Sequence, residues 1–182
     1  MSIADQLKWD SKFRNKPMRL GAPEPVLQDF LVGSPTQPIL DFACGDGRNL
    51  IQMARQGFDV RGWDCSNEGL KRLKLFALEE GLAVNVEMVD FDNLSDQCAF
   101  GFGSVWISHY LPTVDQLQWL FERLPLGGAL CLITFNKNQP NFNQKFCLRP
   151  NQFKDLFGKQ NLLNYESRID NGLYHDFYLW KK

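Results

Sequence analysis

The chain has 182 residues, of which 44% are hydrophobic and 23% charged, enough for one domain with a buried core. A formal net charge of −1 leaves no basic field to neutralise phosphates, which argues against duplex DNA or RNA as the main partner. The start, MSIADQLKWDSK, has no apolar core of a signal peptide. No run approaches the roughly 18 to 20 apolar residues of a membrane span, so a soluble, cytoplasmic chain without a membrane partner is expected. Five cysteines, at 44, 65, 98, 131 and 147, are odd in number and lack Cys-x-x-Cys spacing, and the chain has two histidines. Neither a disulfide framework nor a metal site fits that pattern. Reduced thiols in apolar runs, such as Cys131 in ALCLITF, read as small hydrophobes.

From residue 38 onward short apolar runs alternate with segments of helical period, the pattern of strand-helix-strand units on a mostly parallel sheet. Pro38 to Ala43 is expected as the first strand, Arg48 to Gln56 as a helix stopped by Gly57, and Phe58 to Trp63 as the second strand. Ser66 is placed to cap a helix that carries Leu70, Leu73, Ala77 and Leu78 on one side and ends at Gly81. Strands at Ala83 to Val89 and Ser104 to Ser108 follow. Thr113 and Gln116 then form a capping-box pattern ahead of a helix with Leu117, Leu120, Phe121 and Leu124 inward. Ala129 to Phe135 reads as a fifth strand, NKNQPNFNQ as a loop, and Pro150 to Phe157 as a short helix. Leu162 to Ile169 and Leu173 to Trp180, joined by Asp170-Asn171-Gly172, form a hairpin. The expected class is therefore α/β: a Rossmann-like, seven-stranded, mostly parallel sheet with a C-terminal antiparallel hairpin and helices on both faces.

In such sheets ligands sit beyond the carboxyl ends of the strands, commonly after the first one. There the chain reads ILDFACGDGRNL, residues 39 to 50. Gly45 and Gly47 let the backbone approach a ligand closely, although a lone Gly-x-Gly also serves turns that are glycine-rich for steric reasons alone. Asp64 ends the second strand nineteen residues after Gly45, where a carboxylate accepts both hydrogen bonds of a ribose diol. Asp90 ends the third strand, placed for an exocyclic adenine amine, with Phe91 as an apolar cover for the ring. A dinucleotide site would need a third glycine where Leu50 stands, and Asp46 between the glycines would repel a pyrophosphate. The pattern points to an adenosine compound without phosphates.

Taken with VRGWD, VDFDNL, VWISHYLP and LPLGGALCLITF, the stretch resembles the class I S-adenosylmethionine-dependent methyltransferases, above all their tellurite-resistance and thiopurine methyltransferase-like groups. The resemblance spans about residues 9 to 181. It implies S-adenosylmethionine as cofactor, S-adenosylhomocysteine as product, and a domain over 38–182 behind an N-terminal lid over 1–37. By position, Asp41, Cys44, Gly45 and Gly47 would surround the methionine part, Asp64 and Cys65 the ribose, Asp90 and Phe91 the adenine, and Ser108 the sulfonium side. Trp9, Phe13 and Arg19 would belong to the lid. The family's first glycine of the turn is Ala43 here, and an alanine is expected to stay near strand geometry.

The activity so implied is SN2 transfer of a methyl group to a small molecule, with a thiol or other soft nucleophile as the family-level expectation. His109 and Tyr110, after the fourth strand, are the candidates should a base be needed. Acceptor selection falls to the lid, the loop Asn136 to Phe146 and the region CLRPNQF, with Arg149, Arg168 and His175 as candidate contacts. A regulatory module that binds the cofactor without transfer, and an NAD-dependent oxidoreductase, are the alternative readings. A monomer is the default, with a homodimer as the alternative.

Overall fold

The computed structural model describes residues 3–33, 35–94, 101–139, 143–170 and 172–182, with the backbone alone for Lys145 and Asp170. Cys98 and Asn171 lie outside the described residues. The four described cysteines are free and buried.

Seven strands form one sheet: β1 (Ile39–Phe42), β2 (Val60–Asp64), β3 (Asn85–Met88), β4 (Ser104–Ser108), β5 (Ala129–Phe135), β6 (Leu162–Asp170) and β7 (Leu173–Lys181). Their order is β3-β2-β1-β4-β5-β7-β6. The first five run parallel, and β7 pairs antiparallel with both β5 and β6. The expected hairpin is therefore present, inserted with its second strand against β5. Because β1 is flanked by β2 on one side and β4 on the other, strand order reverses there, and the crevice beyond their carboxyl ends is where such a sheet receives ligands.

Alternation along the strands builds two cores. Ile39, Trp106 and Ile133 face α2 (Leu27–Val32), α3 (Arg48–Arg55) and α4 (Asn67–Glu79), meeting Phe30, Leu50 and Leu73. Leu40, Phe42, Val105 and Ile107 face α5 (Val114–Arg123) through Leu117, Leu120 and Phe121. Helices thus cover both faces, and β1 is buried on each. The caps are those the sequence signals. Ser66 Oγ accepts from Gly69 N at the start of α4, and Thr113 with Gln116 closes a reciprocal capping box on α5.

One expected element is absent. Residues 150–157 form successive turns rather than a helix. Asn151 takes φ 60°, a left-handed conformation, and the amides of Gln152, Lys154 and Leu156 each reach only three residues back. Phe153, 2% exposed and edge-on to Tyr178, is the anchor that overrides the helical period.

Candidate active site

At the end of β1 the backbone turns through Ala43 at φ 63°, Gly45 at 57° and Gly47 at 88°. Ala43 therefore does not keep strand geometry, contrary to the expectation from its type. The turn is pinned on both sides of Cys44, whose N–H donates to Trp63 O at 3.0 Å and whose carbonyl accepts from Gly47 N at 2.9 Å. An alanine there adopts the left-handed state that glycine takes without a Cβ clash, at a cost of about 1 kcal/mol. Ala43→Gly should accordingly raise stability by about 0.5 to 1 kcal/mol in urea titration, since part of the gain is offset by the freer unfolded chain. No increase would mean that the turn does not strain alanine.

The glycines also have steric reasons. A Cβ on Gly47 would lie 2.5 Å from Leu73 Cγ, and one on Gly45 3.0 Å from the Phe13 ring. On β2, a Cβ at Gly62 would meet Leu50 at 2.6 Å, so the residue that replaces a dinucleotide fold's third glycine packs into a gap left by a glycine on the neighbouring strand.

Two carboxylates flank the turn. Asp64 is buried, and its oxygens accept from Gly45 N and Ser66 N, each at 2.8 Å. Burial pushes its carboxyl above the usual range against the pull of those amides. Asp41 is 1% exposed and neither oxygen has a hydrogen-bond partner. Burial, with the Asp64 charge adding to it, pushes Asp41 up to about 8, although the Arg48 charge and the Leu50 amide pull the other way. A buried carboxylate without a partner is costly unless a cation meets it. Burial likewise raises the Cys44 thiol, and raises Cys65 to about 12.

Asp90 is exposed at the end of the third strand's segment, where it caps a short 3-10 turn (Phe91–Asn93) by accepting from Asp92 N and from Asn93 Nδ2 at 2.6 Å. The Phe91 ring is spent in the core, stacked 4.3 Å from Phe42 and edge-on to Tyr110, rather than on an open face.

The N-terminal segment straps the turn from outside. Helix α1 (Ile3–Asn15) lays Phe13 over Gly45 and Gly69, with the half-buried Trp9 beside it. Asp10 accepts from Ser66 Oγ at 2.6 Å and from Glu68 N, adding a second cap to α4. Lys16 pairs with Asp46 at 2.6 Å, while the buried Arg72 donates to the carbonyls of Lys16 and Pro17. Asp46, read from sequence as a repellent for phosphate, thus anchors the strap. Arg19 is exposed. Farther along, the buried Glu24 pairs with Arg48, Glu24 N donates to Asn49 Oδ1, and Asn49 Nδ2 donates to Ser108 Oγ at 2.7 Å.

His109, at φ 53°, closes this network. Arg48 lies 3.1 Å from its Nδ1 and Glu24 Oε1 lies 3.2 Å from its Nε2. Arg48 as donor fixes the neutral tautomer with the proton on Nε2. Burial, then the charges of Arg48, His175 and Lys12, push His109 down to about 3. Tyr110 donates to Gln116 Oε1, and burial raises it to about 12. The buried His175 ring stacks on His109 at 5.2 Å and 6°, with Phe135 4.5 Å from His109. Arg168, cross-strand from His175, is half-buried beside Glu166, and Arg149 is exposed.

Residues 39–124 match the family described as a methyltransferase domain. A ubiquinone biosynthesis O-methyltransferase from Cupriavidus pinatubonensis is 37% identical over 140 residues, covering 71% of this chain and 54% of that one. By the first of these matches the chain carries a methyltransferase domain over residues 39–124. It spans about half the length of the curated relatives it matches. In fold it is similar to TehB from Haemophilus influenzae, with TM-score 0.73 and 18% identity over 96% of this chain and 67% of that one. It is also similar to the magnesium protoporphyrin IX methyltransferase ChlM from Synechocystis PCC 6803, solved with bound S-adenosylmethionine, with TM-score 0.67 and 15% identity over 98% and 95%.

The residues present fit S-adenosylmethionine on chemical grounds. Asp41 is a buried acid with no side-chain hydrogen bond of normal geometry on either oxygen, and the cofactor's methionine end carries an ammonium. Sequence reasoning missed Asp10, Lys16, Glu24, Arg48, Asn49 and Arg72. Arg48 and Asn49 had a signal, since they directly follow the glycine turn. Glu24 had none, because its partners are 24 and 25 residues away in another segment.

Proposed function

We propose that this chain transfers the methyl group of S-adenosylmethionine to a small-molecule acceptor in the cytoplasm. The observation that carries the reading is the unpartnered Asp41 carboxylate buried at the glycine turn. When bound, the cofactor supplies a methyl group already activated on a sulfonium. Asp41 would hold its ammonium, the amides of the 43–47 turn its carboxylate, and Asp64, oriented by Gly45 N and Ser66 N, its ribose. Residues 1–37 would serve as lid to the domain over 38–182. Phe13 and Trp9 would exclude water from above, with Ser108 at the end of β4 facing the reacting side.

The residues favour alignment over base catalysis. His109 has its acceptor nitrogen turned to Arg48, and the Tyr110 hydroxyl is turned to Gln116. Orientation alone supplies effective molarities of about 10⁵ to 10⁸ M. The O-methyltransferases among the relatives favour an oxygen nucleophile over the thiol expected from sequence. A left-handed Ala43 removes that departure as a reason to prefer the non-catalytic module, because the turn takes the conformation a glycine would give it.

Calorimetric titration with S-adenosylhomocysteine, NAD and ATP should give heat with the first alone, and methyl-labelled cofactor incubated with a cell extract should leave label on a small metabolite. No heat with S-adenosylhomocysteine, or tight NAD binding, would overturn the proposal. Cofactor binding without label on any metabolite would leave the non-catalytic module in its place.

A further inference from the structure

Helix α1 places Lys8 and Lys12 at i and i+4 along one flank, and Lys16 follows just past its end. Lys16 is neutralised by Asp46. Lys8 and Lys12 have no carboxylate within ion-pair distance among the described residues and face rings instead. Lys12 Nζ lies 4.3 Å from the Trp9 ring centre, and Lys8 Nζ lies 5.9 Å from Trp9 and 5.1 Å from Phe146. The acid between them in sequence, Asp10, is committed to the start of α4. Burial above all, and then the neighbouring Lys16 and Lys8 ammoniums, pull the Lys12 pKa down.

Inward from this flank the alternation continues. The segment that carries Phe146 returns along the end of β5, Leu148 N donating to Phe135 O at 2.8 Å, and Phe135 lies 4.5 Å from His109, whose ring stacks on His175. The imidazole of His109 is neutral and Arg48 is offset by Glu24, so the positive potential here comes from Lys8 and Lys12. Rings interleaved with cations select a ligand that is itself flat and negatively charged. A merely solvated helix face would need neither Phe146, from the segment after β5, nor the stacked rings behind it.

We propose that the methyl acceptor is a planar anion, an aromatic carboxylate or phenolate, received where α1 meets Phe146, with Lys8 and Lys12 holding its charge and the aromatic side chains its ring. This rests on the methyl-transfer reading and names the substrate class for that site. The charge of the acceptor would steer its approach and favour its anionic form over uncharged analogues of the same shape.

The test uses binding, so that the nucleophile need not be known. The full chain, saturated with S-adenosylhomocysteine, is titrated with 2-naphthoate, 2-naphthalenemethanol and 2-naphthylmethylamine, three ligands of like shape and different charge. The carboxylate should bind about tenfold tighter than the alcohol, with the amine weakest, and its advantage should shrink between about 0.05 and 0.5 M salt. The double variant Lys8→Met, Lys12→Met keeps the aliphatic stems that cover Trp9. It should lose about tenfold in affinity for naphthoate and leave the alcohol and S-adenosylhomocysteine unchanged. Equal affinities for the three ligands, no binding of naphthoate, or a naphthoate affinity indifferent to the double variant would each overturn the proposal. Failure of S-adenosylhomocysteine to bind the unmodified chain would instead count against the methyl-transfer reading.

Discussion

Asp41→Asn should make the cofactor-free protein more stable at pH 8 and nearly abolish its hold on S-adenosylhomocysteine. The Asp41 carboxyl is raised to about 8 in the folded chain from 3.8, chiefly by burial. The folded state therefore binds this proton more tightly than the unfolded state. Stability from the group is fully present below pH 3.8 and is lost progressively as pH rises toward about 8. At about 1.4 kcal/mol per unit, the loss is on the order of 5 kcal/mol across that window. Asparagine resembles the protonated acid and carries no such cost, so the two stability curves should meet near pH 4 and diverge upward, with the variant above. With ligand the order reverses. An ammonium brought to Asp41 favours the carboxylate, and its loss leaves a buried cation unpaired, at about 3 to 5 kcal/mol or some 10² to 10⁴ in affinity. Urea titrations from pH 4.5 to 8.5, with and without S-adenosylhomocysteine, measure both. Parallel curves would mean that Asp41 has a partner in the free protein, and an unweakened ligand would move the ammonium elsewhere.

Why Asp41 could be named from sequence, while its state could not, applies to the site as a whole. The strand order was legible because each strand's apolar run was bounded by its own punctuation: Gly57, Ser66, Gly81, the Thr113–Gln116 box and Gly127-Gly128 are local signals that the fold honours. Ala43 was misread because its conformation is set by bonds from outside it. The turn is tied to β2 through Trp63 O, and a tether of that kind imposes a left-handed φ whatever the side chain. The reasons for Gly47 and Gly62 were hidden for a related cause. What they make room for, Leu73 and Leu50, lies on other elements. Which way the Phe91 ring turns had no signal in the sequence, since a ring after an edge strand turns either toward a ligand or, as here, toward Phe42. The network of Glu24, Arg48, His109, Asn49 and Ser108 joins three separate segments, and pairing across such distances leaves no periodic trace.

Asp64→Ala should damage the fold and the cofactor site together, and a second substitution separates the two. In the folded chain Asp64 is a structural acceptor before it is anything else: its oxygens satisfy the amides of Gly45 and Ser66, which hold the glycine turn and the start of α4 in register. Alanine leaves both amides without a partner in a buried place, and at about 1 to 3 kcal/mol each the expected loss is about 2 to 6 kcal/mol. S-adenosylhomocysteine should then bind poorly even to the fraction that folds, because the turn and the ribose acceptor go together. Asparagine keeps one oxygen, which serves one amide, and turns an NH2 toward the other. About half of the stability should return, while a diol that needs two acceptor sites does not regain them. Thermal melts and calorimetry on both variants therefore read different things. An alanine variant as stable as the parent would show that the two amides do not depend on Asp64. An asparagine variant that binds S-adenosylhomocysteine as tightly as the parent would leave Asp64 a purely structural residue and require another acceptor for the ribose.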